Sequence, residues 1–160
     1  MPSQGRTADF DLTLAYSAAD EFDRDPGADI SSEDAFVLGF RFKDSLNKGL
    51  GWNAGLTMDT PRDHGAGGEF GFIMFETNAT LKIDQLQLMY IFAGINYPFL
   101  AYQDKNLGDV DPSLGMQFGT GLVLTPQFGF ELAFRAVNFE FGNADAELWG
   151  FLFRGYYTFP

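Results

Sequence analysis

Apolar residues return at every second position along most of this chain, and a period of two calls for strands and rules out helices as the main element. Eight segments carry it. ADFDLTLAYS places Phe10, Leu12, Leu14 and Tyr16 on one side and Asp11, Thr13 and Ala15 on the other. DAFVLGFRFKD sets Phe36, Leu38, Phe40 and Phe42 against Val37, Gly39, Arg41 and Lys43, and LGWNAGLTMD sets Leu50, Trp52, Leu56 and Met58 against Gly51, Asn53, Gly55 and Thr57. GEFGFIMFETNATLKI opposes Ile73, Phe75 and Leu81 to Met74, Glu76, Asn78 and Lys82. QLQLMYIFAGIN divides into Leu86, Leu88, Tyr90 and Phe92 against Gln87, Met89, Ile91 and Ala93. SLGMQFGTGLVLT and FGFELAFRAV alternate Met116, Phe118, Phe130 and Phe134 with Gln117, Gly119, Glu131 and Arg135. The last segment, ELWGFLFRGYYTFP, lines up Trp149, Phe151, Phe153, Tyr157 and Phe159.

Connections after the second, fourth and sixth segments are short turns, whereas the others are longer and polar, as in ADEFDRDPGADISSED and YPFLAYQDKNLGDVDP. Short turns at one end and long loops at the other describe an up-and-down meander. No linker divides the chain, so residues 1–160 are read as a single domain. The 19 Phe exceed what the interior of a soluble domain requires, which points to a second apolar surface.

An eight-stranded barrel has a narrow interior, so the rings belong outside and Gly39, Gly55, Gly119, Gly121, Gly129 and Gly150 inside. Strands of about 9 to 11 residues span hydrocarbon, and closure leaves no unpaired edge there. Tyr16, Trp52, Tyr90, Trp149, Tyr157 and Phe159 fall near segment ends, where an aromatic girdle sits. The predicted fold is all-β: an eight-stranded antiparallel up-and-down transmembrane β-barrel. A soluble lipid-binding barrel with its faces reversed is the competing assignment.

This pattern resembles the small eight-stranded outer-membrane barrels of Gram-negative bacteria, the class that includes the OmpA membrane domain and OmpX. Its most specific element is the final strand, where Phe151, Phe153, Tyr157 and Phe159 match the alternating aromatic ending of that class; Gly155 interrupts the row and Pro160 follows the expected terminal Phe. The resemblance implies a monomer in the bacterial outer membrane among lipid and lipopolysaccharide. The opening MPSQGRTADF has no signal-peptide apolar stretch, so for an exported protein this is a mature or re-engineered form.

With 22 acidic against 10 basic residues and a net charge of -12, there is no basic stripe for nucleic acid. Absence of cysteine removes thiolate catalysis and thiolate metal sites. His64 reads as a solvated loop residue beside Asp59, Arg62 and Asp63, and no nucleophile stands near it, so catalysis, cofactor and metal are not expected. Asp20, Glu21, Asp23, Asp25, Asp29, Glu33 and Asp34 face only Arg24 in the first long loop, a candidate surface for an extracellular partner.

The proposed lumen face carries Arg41, Glu76, Lys82, Glu131, Arg135 and Arg154, with Gln87, Gln117 and Tyr156. Confined charges must pair, so Glu131 is expected between Arg135 and Arg154, and Glu76 with Lys82 or Arg41. Phe70, Phe72, Met74, Met89, Ile91 and Ile95 form a more apolar expected wall in the same lumen. Two functions follow as expectations. One is a structural or surface-interacting barrel filled by the charge network; the other is binding or passage of small hydrophobic molecules or ions.

Overall fold

In a computed structural model, the chain closes on itself as a barrel of strands. The structure describes residues 8–25, 30–31, 33–46, 49–64, 68–83, 85–86, 88–103, 110–141 and 144–159. The eight long strands are β1 (Asp9–Asp25), β2 (Ala35–Ser45), β3 (Leu50–Asp59), β4 (Gly68–Lys82), β5 (Met89–Gln103), β6 (Gly115–Val123), β7 (Phe128–Phe141) and β8 (Ala144–Phe159). Each pairs antiparallel with the next. β8 returns to β1 in a register running from Phe10↔Phe159 to Asp25↔Asp145, and this closure leaves neither β1 nor β8 with a free edge.

The register also fixes the tilt. Following partners once around, from Phe10 through Phe42, Ala54, Thr77, Ile95, Met116, Ala136 and Trp149, leads back to β1 at Glu21, beyond a bulge between Ala18 and Glu21. A stagger of this size in a small barrel corresponds to strands inclined by roughly 40° to the axis. The short turns lie where the sequence places them. At β2–β3 the Leu46 amide donates to the Leu50 carbonyl at 2.8 Å, and Gly49 takes a φ of 93°, a left-handed conformation that suits glycine. At β6–β7 the Leu124 amide donates to the Phe128 carbonyl at 3.0 Å.

At the opposite end the strands outlast the sequence reading. β1 runs on to Asp25 and pairs there with β8 and with Ile30–Ser31, so part of the polar stretch expected as loop is sheet. His64 lies in a short strand, Arg62–His64, opposite Gly68, rather than in an irregular loop. Val110–Pro112 adds to the upper part of β7. Ladder hydrogen bonds hold these polar segments extended, which side-chain alternation does not record. Gln87 and Pro160 lie outside the described residues.

Polarity is inverted relative to a water-soluble barrel. Phe36, Phe118, Phe130, Phe151 and Phe153 are exposed on the outer wall, while Asp11, Arg41, Glu76, Glu131 and Arg154 are buried inside. Outward rings meet across strands. Phe10 packs against Phe42 and Phe159, with centroids 5.3 and 5.7 Å apart, and Phe134 against Trp149 and Phe151 at 5.9 and 6.0 Å. With Phe151 and Phe153 outward, the reversed-face alternative falls.

One strand corrects the expectation. On β5 it is Tyr90 and Phe92 that are buried, whereas Ile91 and Ile95 point outward and Met89 is half-buried. Tyr90 therefore belongs to the lumen and not to the girdle. The cause lies on the neighbouring strand, where Tyr90 pairs with Gly121 and Phe92 with Gly119. A Cβ on Gly121 would sit 2.1 Å from the Tyr90 ring, and one on Gly119 2.9 Å from Phe92. Only a bare wall admits these two rings.

Candidate functional site in the lumen

Inward positions of all eight strands converge on the axis, and at mid-height they form a chain of ion pairs. Asp11 of β1 accepts from Arg41 Nε at 2.9 Å and lies 2.8 Å from Lys43 Nζ, both on β2. Arg41 reaches Glu131 of β7 through Nη1, at 2.7 Å to the nearer carboxylate oxygen. Glu131 also faces Arg154 Nη1 of β8 at 3.3 Å and accepts from the Tyr90 hydroxyl. Arg154 Nη2 then donates to both carboxylate oxygens of Glu76 on β4, at 2.9 and 2.8 Å. The two carboxylates thus bridge guanidiniums contributed by different walls of the barrel.

A second group lies nearer the loop end, where Asp59 accepts from Arg135 Nη2 and Arg62 Nη2, each at 2.8 Å. A ladder of amides crosses the same interior, Asn78 Nδ2 donating to Asn53 Oδ1 and Gln117 Nε2 to Asn78 Oδ1, both at 2.8 Å. Burying so many charges is tolerable only because each finds a partner of opposite sign; removal of one member of such a pair costs about 3–5 kcal/mol.

Of the charged residues read from the sequence, the structure joins Arg41, Glu76, Glu131 and Arg154 into one chain, but with different neighbours. Glu131 lies between Arg41 and Arg154, not between Arg135 and Arg154, and Glu76 pairs with Arg154. Arg135 instead crosses to Asp59. The barrel stagger explains both changes: side chains at equal distance along two strands sit at different heights. Lys82 stands outside the chain, exposed at the short-turn mouth, where water solvates its ammonium. Asp11, Lys43, Asp59, Arg62 and Tyr90 were missed as members. Asp11 was recoverable, since it shares the inward parity of Thr13 and Ala15.

The lumen is not polar throughout. Phe70, Phe72 and Met74 are buried toward the loop end, joined by Phe139, Val137 and Leu148, with the Phe72 and Phe139 centroids 5.2 Å apart. Ile91, Ile95 and Met89 take no part in this cap. Toward the short turns the interior opens into a cavity of about 500 Å³ bordered by Arg41, Lys43, Asn53, Lys82, Tyr90 and Tyr156. The Tyr156 ring lies against Gly129, where an added Cβ would come within 2.2 Å of its hydroxyl oxygen. With Tyr90 laid on Gly121 in the same way, two cross-strand tyrosine–glycine pairs keep this end open. Among the described residues no group of three or more His, Cys, Asp or Glu side chains is placed to hold a metal ion.

No family model matches the chain, and no curated protein sequence does. Solved structures do. The attachment invasion locus protein Ail of Yersinia pestis, solved with the heparin analogue sucrose octasulfate, superposes with a TM-score of 0.57 at 14% identity, over 96% of this chain and 100% of that one. OprG from Pseudomonas aeruginosa gives 0.55 at 15% identity, over 96% and 97%, and Neisserial surface protein A gives 0.53 at 14%, over 93% and 98%. Identities this low speak to the fold alone. With its lipid-type exterior and charged interior, the chain is an eight-stranded antiparallel transmembrane β-barrel of the kind found in small bacterial outer-membrane proteins.

Proposed function

We propose that this protein is a non-enzymatic monomer of the bacterial outer membrane, with its short turns in the periplasm, a lumen closed by its charge network, and a surface role carried by the loop end. The observation that carries the reading is the chain of buried ion pairs from Lys43 to Glu76, which spans the barrel at mid-height beneath an apolar cap. An ion moving along the axis would have to separate several desolvated pairs, and each separation is expensive. The likeness in fold to outer-membrane proteins supports the location.

The loop end supports a partner of positive charge. The register sets Asp145 opposite Glu140, both exposed. Like charges held across strands are destabilising by themselves and are relieved by cations. Ail was solved with a heparin analogue, sucrose octasulfate; the acidic loop end of this chain would repel such a polyanion. Reconstitution in planar bilayers tests the closed lumen. No sustained conductance is expected, and steady single-channel openings would overturn it.

A second reading, passage or binding of small hydrophobic molecules, has its own support at the loop end. β5 pairs with β6 only as far as Asn96↔Gly115, yet continues to Gln103, and Pro98 there lacks the N–H that a ladder uses. The apolar cap formed by Phe70, Phe72 and Met74 lies at the same level. Saturable binding of an apolar fluorescent dye, weakened by Met74→Asp, would favour this reading; a dye that partitions only into the detergent would remove it.

A further inference from the structure

We propose that the cavity at the short-turn end is a binding site for an oxyanion, a phosphate or carboxylate group, seated on Arg41 and Lys43. Arg41 is buried, and its Nε and Nη1 donate to Asp11 and Glu131. Its remaining terminal nitrogen, Nη2, makes no hydrogen bond among the described residues, and the side chain borders the cavity. A guanidinium N–H that faces the cavity is free to donate to an acceptor there, and the planar fork of arginine suits an oxyanion.

Lys43 adds a second cation in the same place. Its ammonium donates to Thr158 Oγ1 at 2.7 Å and pairs with Asp11 at 2.8 Å, which occupies two of its three protons. Arg41 Cζ and Lys43 Nζ each lie 5.0 Å from the Tyr156 ring centroid, so both charges are held against one aromatic ring. Unused donors of the two groups therefore converge on a space of about 500 Å³, within the range of small-molecule sites. Because the hydroxyl ends of the Tyr156 and Tyr90 rings lie against Gly129 and Gly121, that space is built into the wall.

The acids bordering the cavity do not compete for this position. Asp44 is engaged with the Ser45 amide at 2.7 Å, and Asp9 is exposed at the rim. Lys82 at the mouth adds a positive approach. Upward, the ion-pair chain separates this compartment from the loop end, so the site is reached from the turn side. This goes beyond the closed-lumen reading and stands if the barrel proves conductive.

The test is a titration of the ¹⁵N-labelled folded protein in maltoside micelles with inorganic phosphate, chloride balancing the ionic strength. Saturable shifts of the Arg41 Nε–H and of the Lys43 and Tyr156 amides are expected. Lys43→Gln should weaken the apparent affinity about tenfold, and Arg41→Lys should weaken it while heat-modifiable migration reports a folded barrel; Lys82→Gln should change it much less. Nanodiscs then identify the source. A phosphate response kept in phosphatidylcholine and lost in phosphatidylglycerol assigns the oxyanion to a lipid headgroup, and a response kept in both assigns it to a soluble solute. Shifts that chloride alone reproduces, that do not saturate, or that persist unchanged in folded Lys43→Gln protein overturn the proposal.

Discussion

Glu131 is the residue on which the interior turns, because its carboxylate accepts from Arg41, Arg154 and Tyr90 together. Glu131→Gln keeps the shape but leaves two guanidiniums without their shared counter-charge. A loss of about 3–5 kcal/mol is expected, read as a lower midpoint in urea unfolding from micelles. Gly121 offers a complementary test. Its Cβ would fall 2.1 Å from the Tyr90 ring, so Gly121→Ala must displace that ring from the wall and from Glu131. Overpacking of this kind costs about 1–3 kcal/mol. Gly121→Ala combined with Tyr90→Phe should cost less than the sum of the two single changes, because each disturbs the same ring.

At the scale of the strand, parity decides everything and β5 shows where parity fails. QLQLMYIFAGIN is apolar on both faces, so alternation does not distinguish Ile91 from Phe92 as the inward residue. Neighbouring β6 does, through Gly119 and Gly121. Cysteines at Ile91 and Ile95 should react with a maleimide confined to the lipid phase, and a cysteine at Phe92 should not; the reverse pattern would restore the other register. On β7, Leu132 points outward between the girdles whereas Glu131 beside it points in. Leu132→Arg should therefore destabilise the inserted barrel by about 2–4 kcal/mol, measured by unfolding from lipid vesicles.

At the scale of the molecule, charge is sorted by compartment. Among the described residues, Asp11, Asp59, Glu76 and Glu131 are buried in the lumen with Arg41, Arg62, Arg135 and Arg154, four of each sign, so the net charge of -12 resides elsewhere, largely in the polar segments of the loop end. Divalent cations should accordingly raise the thermal midpoint of the folded barrel more than an equal ionic strength of sodium, seen as a shift in heat-modifiable migration. By itself the sequence determined the strand count, the alternation of short and long connections and the outward face of most strands, because an alternating chain can bury only one of its two faces. It also carried the charges of the interior, since a charge on the inward parity has nowhere else to go. Only the tertiary structure decided which charges meet, the inward face of β5 and the length of the strands beyond the aromatic girdle. Those depend on stagger between strands far apart in sequence, and no local period encodes the height at which Arg154 meets Glu76.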